Sequence, residues 1–201
     1  MQNFIRYFLF YFLLFLSLGF KAAEPRVLKF TIYLFGDSIG SMTITRQFLS
    51  DGIERYIIKS ASSAKILWVK RDNYSDYEFT CKNGSLLSTT YKETEGGKVT
   101  RWGKMKFDGT KYVVNNYRGT SSFTEVPQYS IVSIYFGDMR LARRLYYDTE
   151  AEFVNVEHPD ENTIEFKTSD GHRNVYHYIN GQLHHLEVHI SIATVKMVRV
   201  Q

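Results

Sequence analysis

Five of the six histidines, His172, His177, His184, His185 and His189, fall within eighteen residues. Imidazoles on paired strands can share a transition-metal ion, because opposed Cβ atoms stand only about 5 Å apart. Asn180-Gly181 is the turn signal that would pair them, since both residues accept positive φ. Regular pairing outward from that turn sets His177 against His184, Tyr176 against His185 and His172 against His189. His177 and His184 are therefore the candidate metal ligands. The donor count argues against them: a zinc site normally takes more than two, and no HExxH or CxxC spacing supplies the rest. The competing reading is a pair of half-buried rings, hydrogen-bonded to neighbours on a face shared with Val175, Leu186 and Val188.

Other chemistry finds little to work with. The chain has no GxSxG elbow, no phosphate-cradling glycine loop and no paired carboxylates that spacing would bring together. Gly36-Asp37-Ser38 matches the start of a GDS hydrolase block, but that motif belongs between a parallel strand and a helix. Here alternating residues follow it, so it reads as a hairpin turn. No catalytic residue is assigned, no cofactor is expected, and the reading leans away from an enzyme.

The elements that must carry these side chains are strands. Leu28, Phe30, Ile32 and Leu34 alternate with Lys29, Thr31 and Tyr33, and Met42 and Ile44 alternate with Ser41, Thr43 and Thr45. That period of two marks a sheet with one buried face. Leu28 to Lys59 reads as three strands. Further strands follow at Ile66 to Lys70, Tyr77 to Cys81, Leu86 to Tyr91, Val99 to Phe107 and Lys111 to Tyr117. Residues 118–125 read as loop. Helical turns are expected within 128–146, the alternative being a strand from Ile131 to Phe136. Strands return at Ala151 to Val156, Thr163 to Lys167, Asn174 to Ile179, Gln182 to Ile190 and Thr194 to Val200. The fold class is all-β: a strongly curved antiparallel sheet or partly open barrel of about 10–12 strands with one short helical segment. Phe79-x-x-x-Asn83-Gly84-x-Leu86 is echoed by Tyr176-x-x-x-Asn180-Gly181-x-Leu183, as two hairpins with the same turn chemistry would be.

The first 23 residues stand apart. Arg6 precedes an apolar run from Phe8 to Phe20, then Lys21-Ala22-Ala23, which reads as a secretory signal peptide over 1–23. The run is shorter than the roughly 20 residues a spanning helix needs, so membrane contact is expected only through an uncleaved signal. Residues 24–201 then form one β-rich domain, exported to the periplasm or beyond. They carry 23 basic and 21 acidic residues without clustering, which argues against a nucleic-acid partner. The single cysteine, Cys81, has no disulfide partner within the chain and is expected to be buried.

Several motifs in order carry a resemblance. They are the Gly36-x-x-Ile39-Gly40 hairpin, Tyr56-x-x-x-Ser60-x-Ser62, Phe79 with Asn83-Gly84, Ser133-Ile134-Tyr135-Phe136, and Asn174-x-Tyr176-x-Tyr178-x-Asn180-Gly181. Over essentially the whole chain after residue 23 it resembles the exported bacterial family called domain of unknown function 6134. It is more distantly similar to another uncharacterised periplasmic β-rich family that shares the first hairpin. Gly137-Asp138-Met139 departs from the acidic residue and proline expected there. The resemblance implies export, as in a Gram-negative-type bacterium, and a single β-rich domain, and it supplies no activity. With 24 aromatic residues after position 23 and little helix to cover a sheet, the leading functional expectation is non-enzymatic. It is binding of an apolar or lipid-like small molecule on the concave face, with the central segment as plug. The alternatives are an envelope protein-interaction module and a metal-dependent enzyme at the histidine hairpin.

Overall fold

Strands whose odd or even positions are apolar must lay that face on something, and here the sheet curls round a piece of its own chain. The computed structural model describes residues 25–66, 68–137 and 139–200, so the expected signal peptide and Asp138 lie outside the described residues. Eight strands run as one meander: β1 (Arg26–Leu34), β2 (Asp37–Phe48), β3 (Ile53–Ile66), β4 (Val69–Lys82), β5 (Ser85–Glu95), β6 (Lys98–Phe107), β7 (Tyr112–Asn116) and β8 (Gly119–Phe123). A second meander holds β11 (Glu157–Asp160), β12 (Thr163–Lys167), β13 (Arg173–Ile179), β14 (Gln182–Ile190) and β15 (Ala193–Arg199). Antiparallel pairing of β1 with β15, Phe30 opposite Arg199 and Leu34 opposite Val195, joins them into one 13-stranded sheet. That sheet is not closed into a barrel; β8 and β11 are its two edges. The expected fold class holds, with more strands than anticipated.

Between those edges the chain crosses the concave face. It forms α1 (Ile131–Phe136) and a two-stranded ribbon, β9 (Arg144–Tyr147) with β10 (Glu152–Asn155). Ser130 opens α1 with a capping box: its side chain meets the Ser133 backbone, while its N–H donates to Ser133 Oγ at 3.1 Å. Val132, Ile134, Leu145, Tyr146 and Val154 bury against Leu28, Phe30, Ile44, Phe79 and Leu86 of the sheet. The concave face is therefore a packed core, with residues 127–156 as its plug. Aromatic rings continue the packing along one flank, with Tyr112, Phe123, Tyr146 and Phe153 centroids 4.9 to 5.4 Å apart.

Four of the tight hairpins share one irregularity. At Phe35-Gly36, Asn83-Gly84, Gly96-Gly97 and Asn180-Gly181, two residue pairs form beyond the turn, and then one extra residue enters the second strand. The extra residues are Ile39, Leu87, Thr100 and His184. The β7–β8 and β14–β15 turns, which lack glycine, pair without that shift. A bulge bends its strand and adds twist, so these four devices help to curl the sheet.

Several sequence boundaries are corrected. Ile66 to Lys70 spans the β3–β4 hairpin tip instead of a strand, and Trp68 there is exposed. Residues 119–123 form β8, not loop, and β9 occupies part of the expected helical region. β11 lies between the strands expected at Ala151 to Val156 and Thr163 to Lys167; it contains Pro159, and as an edge strand it tolerates the missing donor.

Candidate functional site

The bulge at His184 rearranges the predicted metal pair. Ile179 faces Gln182 and Tyr178 faces Leu183, but His177 then faces His185, not His184. Likewise Tyr176 faces Leu186, and His189 faces Arg173 where His172 was expected. Leu186 turns inward with Tyr176, so the histidines lie on the opposite, convex side from the core they were expected to share. There the His177 and His185 rings stack at 4.3 Å. His184 keeps a subsidiary place, its Nδ1 3.1 Å from His185 Nδ1. Burial, helped by Lys196 and His177, pulls His185 down to about 4, so its ring is neutral at pH 7. The signal for this register was present: Leu183, Leu186 and Val188 are spaced three and then two, which a regular strand cannot bury on one side.

The second unusual place is the β9–β10 turn, which pushes Asp148, Thr149 and Glu150 into the interior. The Glu150 carboxylate has no solvent exposure; it lies 3.1 Å from Arg101 Nη1, pairs with Arg118 and accepts from the Tyr117 hydroxyl at 3.3 Å. Arg101 also reaches Asp170 at 3.4 Å, tying β6 to the β12–β13 turn across the trough. Tyr91 donates to the Thr149 carbonyl at 2.9 Å, its ring lying where a Cβ on Gly103 would sit. Thr89 donates to Asp148 Oδ1 at 2.6 Å, while Oδ2 is buried with no protein partner. Burial pushes Asp148 up to about 7 despite the Thr89 bond. Asn174 Nδ2 is likewise buried and unpartnered, and both residues line one pocket of about 160 Å³ with Ser60, Ser75, Tyr135 and Met197. Sequence reading missed this cluster, because the carboxylates of Tyr146-Tyr147-Asp148-Thr149-Glu150 look like an ordinary polar turn.

The third place is an open cleft of about 1070 Å³ at the end of the trough beside the β13–β14 turn. Phe136, Met139, Ile164 and Tyr178 supply apolar surface; Arg140, Arg143, His158, Asp160 and Glu161 supply charge. Two bonds anchor the plug beside it: Tyr178 donates to the Ile134 carbonyl at 2.9 Å, and His158 Nε2 lies 2.7 Å from the Ala142 carbonyl. Cys81, the one thiol, is buried as expected and pushed up to about 12, chiefly by desolvation, so it is inert at neutral pH.

Known proteins bear on the fold more than on these sites. No curated protein matches the chain. Among solved structures, the crystal structure of a beta-barrel-like protein of domain of unknown function DUF1849 from Brucella abortus superposes with a TM-score of 0.61. It covers 88% of this chain and 96% of that one at 12% identity, a likeness of fold alone. Residues 30–200 match the family described as Domain of unknown function (DUF6134), and the chain belongs to that family.

Proposed function

We propose that the protein is a non-enzymatic ligand-binding protein of the cell envelope that holds an apolar or lipid-like molecule. The binding place is the cleft at the end of the trough, not the concave face as a whole. Residues 127–156 already fill that face, and the pocket left beside Asp148 and Asn174, about 160 Å³, is smaller than a ligand-sized cavity of about 300 Å³ or more. The single observation that carries the reading is the cleft of about 1070 Å³, with Phe136, Met139, Ile164 and Tyr178 as its apolar surface beside a charged rim. Polar and apolar groups line the cleft in comparable measure, which suits a lipid-like molecule with a polar end better than a wholly apolar one.

Native mass spectrometry of protein purified without detergent tests it, followed by titration of the delipidated protein with a fluorescent fatty acid. A discrete apolar adduct is expected, with saturable binding that Asn162→Trp, at the cleft, weakens at least tenfold. A bare mass together with no saturable binding overturns the reading. A second reading, a protein-interaction module, rests on β8, a sheet edge whose first four residues, Gly119 to Ser122, are exposed and which a partner strand can extend. It predicts crosslinks to another envelope protein from positions 119–123.

A further inference from the structure

We propose that the convex face of the β13–β14 hairpin binds a borderline transition-metal ion, Zn²⁺ or Cu²⁺, through His177, His185 and Glu187. One ligand atom from each of these three residues lies within 4.8 Å of the other two. Metal–nitrogen and metal–oxygen bonds of about 2.0–2.2 Å require donors some 3–3.5 Å apart, so side-chain rotation of about an ångström closes the site. All three side chains are partly exposed, which gives an ion a way in. Two imidazoles and one carboxylate suit zinc and copper, and they exclude calcium and magnesium, which take oxygen donors.

The neighbours are arranged as supports. Thr163 Oγ1 lies 3.3 Å from His177 Nδ1, a contact that fixes the ring's orientation. His184 Nδ1 meets His185 Nδ1 at 3.1 Å, and His185 Nε2 lies 3.8 Å from Glu187 Oε1. The bulge thus makes His184 a positioning residue, engaging one nitrogen of His185 and leaving the other toward Glu187. His189 Nε2 is 3.5 Å from Glu187 Oε2 and is the nearest further donor. Lys196 competes: its ammonium lies 3.1 Å from Glu187 Oε1 and must yield to the ion. This site lies on the opposite side of the sheet from the core that the plug fills, so it stands or falls independently of the cleft.

Calorimetric titration of residues 24–201 with ZnCl₂, and separately with CuCl₂, in a non-chelating buffer provides the test. Saturable 1:1 binding is expected for at least one ion. Affinity should fall more than tenfold in His177→Ala and in His185→Ala, and less than tenfold in His184→Ala. Lys196→Met, on a half-buried strand position, should bind more tightly than wild type. Absence of saturable binding of either ion in both wild type and Lys196→Met overturns the proposal. So does wild-type affinity in His185→Ala, or a loss in His184→Ala as large as that in His185→Ala.

Discussion

The β4–β5 and β13–β14 hairpins are nearly the same object built twice. Both turn on Asn-Gly, with φ of 50° and 83° at Asn83-Gly84 and 51° and 72° at Asn180-Gly181. Both then pair two residues and admit an extra one, Leu87 in the first and His184 in the second. Inside, each buries an aromatic ring and a leucine: Phe79 with Leu86, and Tyr176 with Leu183. Each also grips the plug, the first through Thr89 on Asp148 and the second through Tyr178 on Ile134. They differ outside. Where the second hairpin opposes His177 to His185, the first opposes Thr80 to Ser88. Backbone and inner face serve the fold in common, and the outer face is left free to differ.

Four experiments can break or sharpen that comparison. If the inner faces do equal work, Phe79→Ala and Tyr176→Ala should each destabilise by about 3–5 kcal/mol in urea unfolding. A loss under 1 kcal/mol at one of them would mean that its hairpin is not part of the common core. Next comes the grip on the plug. Asp148 titrates near 7 when folded and near 4 when unfolded, so the folded state holds a proton that the unfolded chain releases between those values. Stability should therefore fall as pH rises from about 4 to about 7, by up to about 1.4 kcal/mol per unit, and level off above. Asp148→Asn should flatten that slope; an unchanged slope would place the titrating group elsewhere.

Smaller effects concern the outer face and the turns. The combined Thr80→His, Ser88→His and Thr90→Glu variant copies the second hairpin's donors onto the first. It should bind Zn²⁺ at least tenfold more tightly than the same protein without the transplant, with His177→Ala as background in both; calorimetry reads the result. No gain would show that the supports around His177 and His185, not the backbone, make the site. Last, Gly84→Ala and Gly181→Ala should each cost about 1 kcal/mol in thermal unfolding, because both residues hold positive φ. Unequal costs would mean that the two turns are not equivalent.

Much of this architecture is readable from the residues. Alternation at Leu28 to Leu34 and the Asn-Gly pairs announce strands and turns, because a pleated strand with one buried face forces period two. The bulges are harder to see, since one inserted residue leaves the turn signal intact and only shifts what lies beyond it. That is why His184 stood where His185 belongs. The plug is half visible: helical turns are expected within 128–146, with a strand over Ile131 to Phe136 as the alternative, but nothing local says that Asp148 and Glu150 go inside. Their burial depends on Thr89, Arg101 and Arg118, which lie 32 to 59 residues earlier in the chain and meet them only once the sheet has curled.

The β1–β15 junction has a consequence for how the chain is made. β15 lies in the interior of the sheet, between β1 and β14, yet among the described strands it comes latest in the chain. Until residues 193–199 emerge, β1 pairs only with β2 and its other edge is open, so among the described residues the two meanders are linked only through the plug and the Arg101–Asp170 pair. The 13-stranded sheet can therefore assemble only once both ends of the described chain are available, which makes its closing contact one of high sequence separation and slow to form.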